Sequence, residues 1–377
     1  MYYTKRGMIP PKPFTEMLGP SGDPTHEELV TSSAFSGPVS LVYRLRPATV
    51  VKEISLACDQ PIEELADGGL RNHQVKVDRC RRDGTLATAR VPLFFNDDLV
   101  YSACWPTSAD DSFYRNAFCD ELWLVFRGSG HLGSTFGSLD FGALDFVYIP
   151  RGVTVALEDV AADTLIIVME ASSPIGPPSQ YLGVRGQLSY HGMYQERDIR
   201  LPHFEEPRDS VSDHEVFVRT GHRVLRHIVP SHPFDVVGWD GTLYPFALNM
   251  QQLTPMSGRV HTLPDIYNVF QADGVYISAV TPMRQPDHEN STSAQPDHSS
   301  DCDEIFHRLG RPAEGGFEPG AVTLHTRAAP HGAALALKAR PRRERSTGWG
   351  VLIDTIRPAK IARQAADGDV SGYHGGD

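Results

Sequence analysis

The sequence predicts an all-β protein, and three observations carry that reading. Short segments rich in β-branched and aromatic residues recur between turn signals. Gly (33) and Pro (29) are abundant enough to supply many turns. Helical periodicity is not sustained over comparable lengths. A chain of 377 residues also has room for two β units of ordinary size.

In chain order, the segments that read as strands are Val39 to Tyr43, Leu122 to Phe126, Phe146 to Ile149, Thr164 to Met169, Val275 to Val280 and Val351 to Ile356. Between the fourth and fifth, Ser172 to Asp209 is dense in Pro, Gly and charge, which marks a connector. We therefore expect one unit over 1–180, a connector over 181–210 and a second unit over 211–377. The echo of Gln285 to His288 in Gln295 to His298 is too short to be an architectural repeat.

The first unit carries Asp120 to Gly128 and Asp145 to Gly152. An acidic residue seven before a glycine, followed by a Pro-x-Gly turn that closes an apolar strand, resembles the strand pairs of a cupin barrel. The expected architecture is a bicupin, two cupin-like jelly-roll β-barrels. Where such a barrel usually places metal-binding histidines, this chain has Asn116, Phe118 and Val155. The N-terminal barrel is thus expected to be structural and metal-free.

Composition narrows the partners. With 35 Lys and Arg against 47 Asp and Glu the net charge is −12, which repels nucleic acid and anionic lipid. The basic run Lys338 to Arg345 contains a Pro and a Glu and no interleaved aromatics, as a solvated loop would. Cys58, Cys80, Cys104, Cys119 and Cys302 are odd in number, scattered and without a CxxC pair, a pattern of reduced thiols in a cytoplasmic protein. Prolines interrupt the N-terminus where a signal peptide needs an apolar run, and no stretch reaches the length of a membrane span.

The second unit holds the residues that can carry chemistry. His298 and Glu304 lie six apart, so a loop entering a strand can aim both at one point, and His331 follows. Two histidines and one carboxylate on one face of an octahedral ion leave the opposite face open for substrate and dioxygen, as in non-haem Fe(II) oxygenases. Zinc also suits such ligands. With 16 His and 47 acidic residues, spacing alone leaves ordinary surface side chains as an equal reading. Trp239 and Tyr244 read either as walls of an aromatic pocket or as core.

Matches in order along nearly the whole chain give more. They include Gly7-Met-Ile-Pro-Pro-Lys12, His26 to Leu29, Phe35 to Pro38, Phe113 to Asn116, Ile149 to Gly152 and Glu196 to Ile199. The most specific are Pro233-Phe-Asp-Val-Val-Gly-Trp-Asp-Gly241, Gly258 to His261, Leu324-His325 and Pro330-His331-Gly332. On these the chain resembles the homogentisate 1,2-dioxygenase family, in particular its shorter bacterial members.

The resemblance implies an Fe(II) enzyme of aromatic amino-acid (tyrosine and phenylalanine) catabolism that opens a hydroquinone ring with O2, turning homogentisate into maleylacetoacetate. Carried over by position, it makes His298, Glu304 and His331 the iron ligands, His261 the acid/base and His325 a partner behind the ligands. A trimer or hexamer is implied as well.

Several segments depart from the family. Ser293 to His298 lacks the usual residues before the first ligand. The stretch after Glu304 is shorter and lacks the tyrosine used on the substrate carboxylate, and Tyr267, which stands where a second histidine is common, joins Trp239 and Tyr244 as a candidate substrate-pocket residue. Arg259, Arg284, Arg308 and Arg311 are candidates to meet a carboxylate. Cleavage of a different hydroquinone and a non-catalytic metal-binding bicupin are the alternatives to homogentisate cleavage. A metal-dependent isomerase on the same barrel is a further one.

Overall fold

The computed structural model describes residues 2–66, 71–107, 112–254, 266–281, 297–309, 320–327, 329–332, 348–370 and 372–373. Among them there is no α-helix, only short 3₁₀ turns, and the strands form four sheets of four, nine, seven and six strands. Each segment read from the sequence overlaps a strand, with only Thr164 and Ile356 falling one residue outside: Val39–Arg44, Asp120–Arg127, Asp145–Ile149, Leu165–Ala171, Val275–Val280 and Gly350–Thr355.

The nine-stranded sheet is the middle layer. Asp120–Arg127 pairs antiparallel with Asp145–Ile149 on one side and Leu165–Ala171 on the other. Its side chains alternate between two cores, as the strand period of two requires. Leu122 and Leu124 join Ile305, Leu324 and Ile353 of the six-stranded sheet, while Trp123 and Val125 join Leu132, Val155 and Phe136. Burial on both faces explains the near-continuous apolar runs that made these strands legible. The Pro-x-Gly turn ends one of them: Gly152 takes a φ of 82° that a side chain would strain, and its N–H donates to the Asn116 carbonyl at 2.7 Å.

Sheet membership does not follow the order of the chain. His214–Thr220, beyond the 181–210 connector, runs parallel to Phe113–Asn116, and Phe246–Asn249 pairs with Asp145–Ile149. In return, His73–Lys76 from the first half borders Ala321–His325 in the six-stranded sheet. The 1–180 and 211–377 division therefore separates residues that share sheets. A linear reading of the connector misses this, because strand exchange between layers leaves no compositional mark.

Between the nine- and seven-stranded sheets lies a buried charged cluster centred on Glu121. Arg90 clamps its two oxygens at 2.8 and 2.9 Å. Tyr114, Asn116 and Trp123 donate to it as well, at 2.6, 2.8 and 2.8 Å. Glu121 is thus engaged by a guanidinium and three neutral donors.

Trp239 and Tyr244 belong to this part of the molecule, which corrects the pocket-wall reading. Trp239 donates from Nε1 to the Phe136 carbonyl at 2.8 Å and packs on Tyr244, whose hydroxyl donates to the Tyr2 carbonyl at 2.7 Å. Both are core side chains. Large aromatics fill the interior wherever their polar atom finds a partner, and here each does.

Candidate metal centre

The six-stranded sheet presents one face to the middle layer and the other to a cleft. On Asp303–Arg308, Ile305 enters the shared core while Glu304, one residue earlier, points to the opposite face. Gly350–Thr355 and Ala321–His325 flank that strand, and their register sets Asp354 and His325 directly across from Glu304 on either side. Cross-strand neighbours of this kind sit within about 4.5–5.5 Å at Cβ, so the sheet itself gathers the three groups.

Backbone pairing brings in the remaining two. His298 and His331 form an isolated antiparallel bridge, with His298 N–H donating to the His331 carbonyl at 2.8 Å and the reverse bond at 3.0 Å. Their rings lie 4.3 Å apart. The loop leading to His331 is fastened by Arg327, which donates to Asp303 Oδ1 at 3.0 Å, and by the Thr326 N–H on Asn72 Oδ1 at 3.0 Å.

The result is convergence on one oxygen. His298 Nε2 and His331 Nε2 each lie 3.2 Å from Glu304 Oε2, and one donor atom from each of the three residues falls within 4.8 Å of the others. His331 gives the clearest test of whether they fit a metal. Its Nδ1 lies 3.4 Å from the Ala329 carbonyl, which can only accept, while its Nε2 is buried with no hydrogen-bond partner among the described residues. A lone pair left facing a carboxylate is what a metal ligand needs. Burial works to raise the Glu304 carboxyl pKa, but the surrounding imidazoles of His298, His325 and His331 outweigh it and hold the carboxyl well below its ordinary range. An ionised carboxylate and two imidazoles therefore fit a divalent cation.

His325 stands behind the ligands, with Nδ1 at 3.1 Å from Glu304 Oε1 and Nε2 at 2.9 Å from the Tyr373 hydroxyl. Its ring is 4.5 Å from that of His331. His298 and Glu304 line a cleft of about 410 Å³ whose walls include Ile266, Tyr276, Leu352 and Ile356, with Asp301 and Asp354 as its further acids. Burial, and then the charge of Glu304, push the Asp354 carboxyl up to about 7.

Tyr267 is a second correction. It neighbours the cleft residue Ile266, but strand alternation turns it into the core shared with the middle layer. Arg308 lies at the far end of the Glu304 strand, opposite Gly350, and is not among the residues that wall the cleft. His261, Arg259, Arg284 and Arg311 lie outside the described residues.

Sequence reading missed Asp354 and Tyr373. Asp354 left a faint signal, an acid inside the otherwise apolar run Gly350–Thr355. Tyr373, amid terminal glycines, left none.

An all-β scaffold that aims two histidines and a glutamate at one point presents a candidate metal site of the two-histidine, one-carboxylate class. The profile of the homogentisate 1,2-dioxygenase N-terminal region matches residues 87–250. A provisionally named dioxygenase of Saccharolobus solfataricus is 30% identical over 99% of this chain and 98% of its own length. The chain belongs to the homogentisate 1,2-dioxygenase family.

Similarity to enzymes bearing that name is lower. The one from Bradyrhizobium diazoefficiens is 25% identical over 59% of this chain and 51% of its own length, so the match spans about half of that enzyme. One from Legionella pneumophila is 22% identical over 81% and 77%. Among solved structures, Ylba from E. coli aligns with 80% of this chain at 8% identity and a TM-score of 0.36, too slight a likeness to bear on fold or function. The profile match ends before His298, so the metal residues lie in the part of the chain that the archaeal relative covers and the profile does not.

Proposed function

We propose that this chain is a non-haem Fe(II) dioxygenase that opens the ring of a hydroquinone-type aromatic. The observation that carries the reading is the meeting of His298 Nε2 and His331 Nε2 on one oxygen of Glu304 at the edge of a cleft. Iron bound there would bring substrate and O2 together and pass electrons between them. The two histidines and the carboxylate hold the ion from one side. Ile266, Leu352 and Ile356 offer apolar surface to an aromatic ring. His261 is proposed to take the phenolic proton, a task suited to an imidazole.

Homogentisate, which would yield maleylacetoacetate, is the first substrate to test, because relatives carry its name. A second reading, a hydroquinone without a carboxylate, is favoured by the cleft itself. The side chains lining it include the acids Asp301, Glu304 and Asp354, whose negative charge opposes a substrate carboxylate. The experiment is to load the purified chain with Fe(II) under air and follow the near-ultraviolet absorbance of a ring-opened product. Homogentisate and uncharged hydroquinones are offered separately. Product from homogentisate supports the first reading, product only from uncharged quinols supports the second, and none from either refutes both.

The remaining proposals follow from smaller observations. The engagement of Glu121 by Arg90 supports a structural, metal-free cupin-like first barrel beside a metal-bearing second one. All five cysteines are free, which supports a cytoplasmic setting. No described helix is long and apolar enough to cross a membrane. A homo-oligomer, trimer or hexamer, is proposed from the family resemblance alone.

A further inference from the structure

We infer that Tyr373 is a positioning residue of the metal centre, acting on Glu304 through His325. The inference rests on the reading of His298, Glu304 and His331 as metal ligands. Glu304 Oε1 can only accept, so His325 Nδ1, 3.1 Å away, is the donor to it. In the singly protonated ring this leaves Nε2 as an acceptor, and the Tyr373 hydroxyl at 2.9 Å is placed to donate to it. One hydroxyl thus fixes which imidazole nitrogen carries the proton, and that proton occupies Oε1. Oε2, the oxygen that faces both ligand histidines at 3.2 Å, is the one left to present to a cation. Metal-ligating groups are commonly oriented this way by partners behind them.

The setting favours a stable relay. Tyr373, His325 and Glu304 are all buried, and the Tyr373 and His325 rings stack with an angle of 23° between them. The segment that delivers Tyr373 is fastened to the strand bordering His325. Arg71 Nη2 donates to Asp369 at 2.7 Å, His73 Nδ1 lies 3.1 Å from the same carboxylate, and the Val370 N–H donates to the Gln74 carbonyl at 2.8 Å. His73–Lys76 pairs directly with Ala321–His325. Asp369 and Val370, a few residues before Tyr373, are therefore fastened to the strand that borders the one bearing His325.

The test reads cobalt binding to the full-length chain, with no substrate or oxygen present. Y373F should weaken Co(II) affinity roughly 10- to 100-fold and shift the ligand-field bands. In an H325A background the same substitution should change affinity by less than about 2-fold, because the path through the imidazole is gone. Native affinity and bands in Y373F, or an equal loss in both backgrounds, would overturn the inference. The melting temperature of metal-free Y373F is the folding control. If it falls, H325Q decides: its side-chain amide can donate to Glu304 and accept from Tyr373, so it should bind Co(II) more tightly than H325A. Equal weakness of the two would overturn the inference. A native chain that binds no Co(II) refutes the ligand reading instead, which keeps the two failures apart.

Discussion

Glu304 divides its two oxygens between two tasks, and the division comes from its neighbours. Oε1 accepts from His325, whereas Oε2 faces His298 and His331. E304Q would keep the shape and remove the charge. Metal analysis after gel filtration should find Fe(II) or Co(II) in the native chain and neither in the variant; retained metal would count against the ligand assignment. Far from this site, His232 sits against Phe113, His214 and Phe234. Burial first, then the nearby His214, Arg208 and Arg44, push its pKa down to about 4. The unfolded chain takes that proton near pH 6.5, so it binds more protons than the fold between those values. Stability should therefore fall as pH drops from about 6.5 toward 4. H232N keeps an acceptor for the Phe234 N–H and should flatten that slope in urea midpoints measured across the window. An unchanged slope would exclude His232 as its source.

Strands show why some of the site was legible and some was not. Glu304 and His325 each adjoin an apolar strand residue, so period-two alternation already implied that they face away from the core. The His298–His331 bridge had no such signature. Two loop residues far apart in sequence pair through backbone hydrogen bonds; spacing offered them only on equal terms with ordinary surface side chains, and the family resemblance singled them out. Tyr267, Trp239 and Tyr244 failed in the other direction. An aromatic residue beside a site and one in the core look alike in sequence, and it was strand parity and hydrogen-bond partners that assigned these to the core. The strand bearing His325 also anchors the centre through packing. Leu324 is fully buried among side chains of both the middle and the six-stranded layers. L324A should cost about 2–5 kcal/mol in urea denaturation and should weaken metal binding as well. A loss below about 0.5 kcal/mol, the size of a surface change, would contradict the shared core.

At the scale of the whole molecule, one sheet with two buried faces ties the charged cluster around Glu121 to the cluster of His298, Glu304 and His331. The all-β class and the individual strands were readable because double burial writes continuous apolar runs. The exchange of strands between halves was not, since His73–Lys76 and His214–Thr220 carry no mark of the sheet they join. The two clusters make separable predictions. R90M leaves the Glu121 carboxylate buried without its main partner, a change that typically costs about 3–5 kcal/mol, read by denaturation. The folded fraction should still bind Co(II) with native affinity, because Arg90 does not reach the triad.

If the proposed function holds, the centre formed by His298, Glu304 and His331 adds both atoms of O2 to an aromatic ring. Mass spectrometry of the product formed under ¹⁸O2 by the Fe(II)-loaded chain tests it most directly. The expected result is a ring-opened product carrying two labelled oxygen atoms, absent from E304Q and from the iron-free chain. Turnover without oxygen, or an intact ring after prolonged incubation of the iron-loaded chain with homogentisate and uncharged hydroquinones, would contradict it.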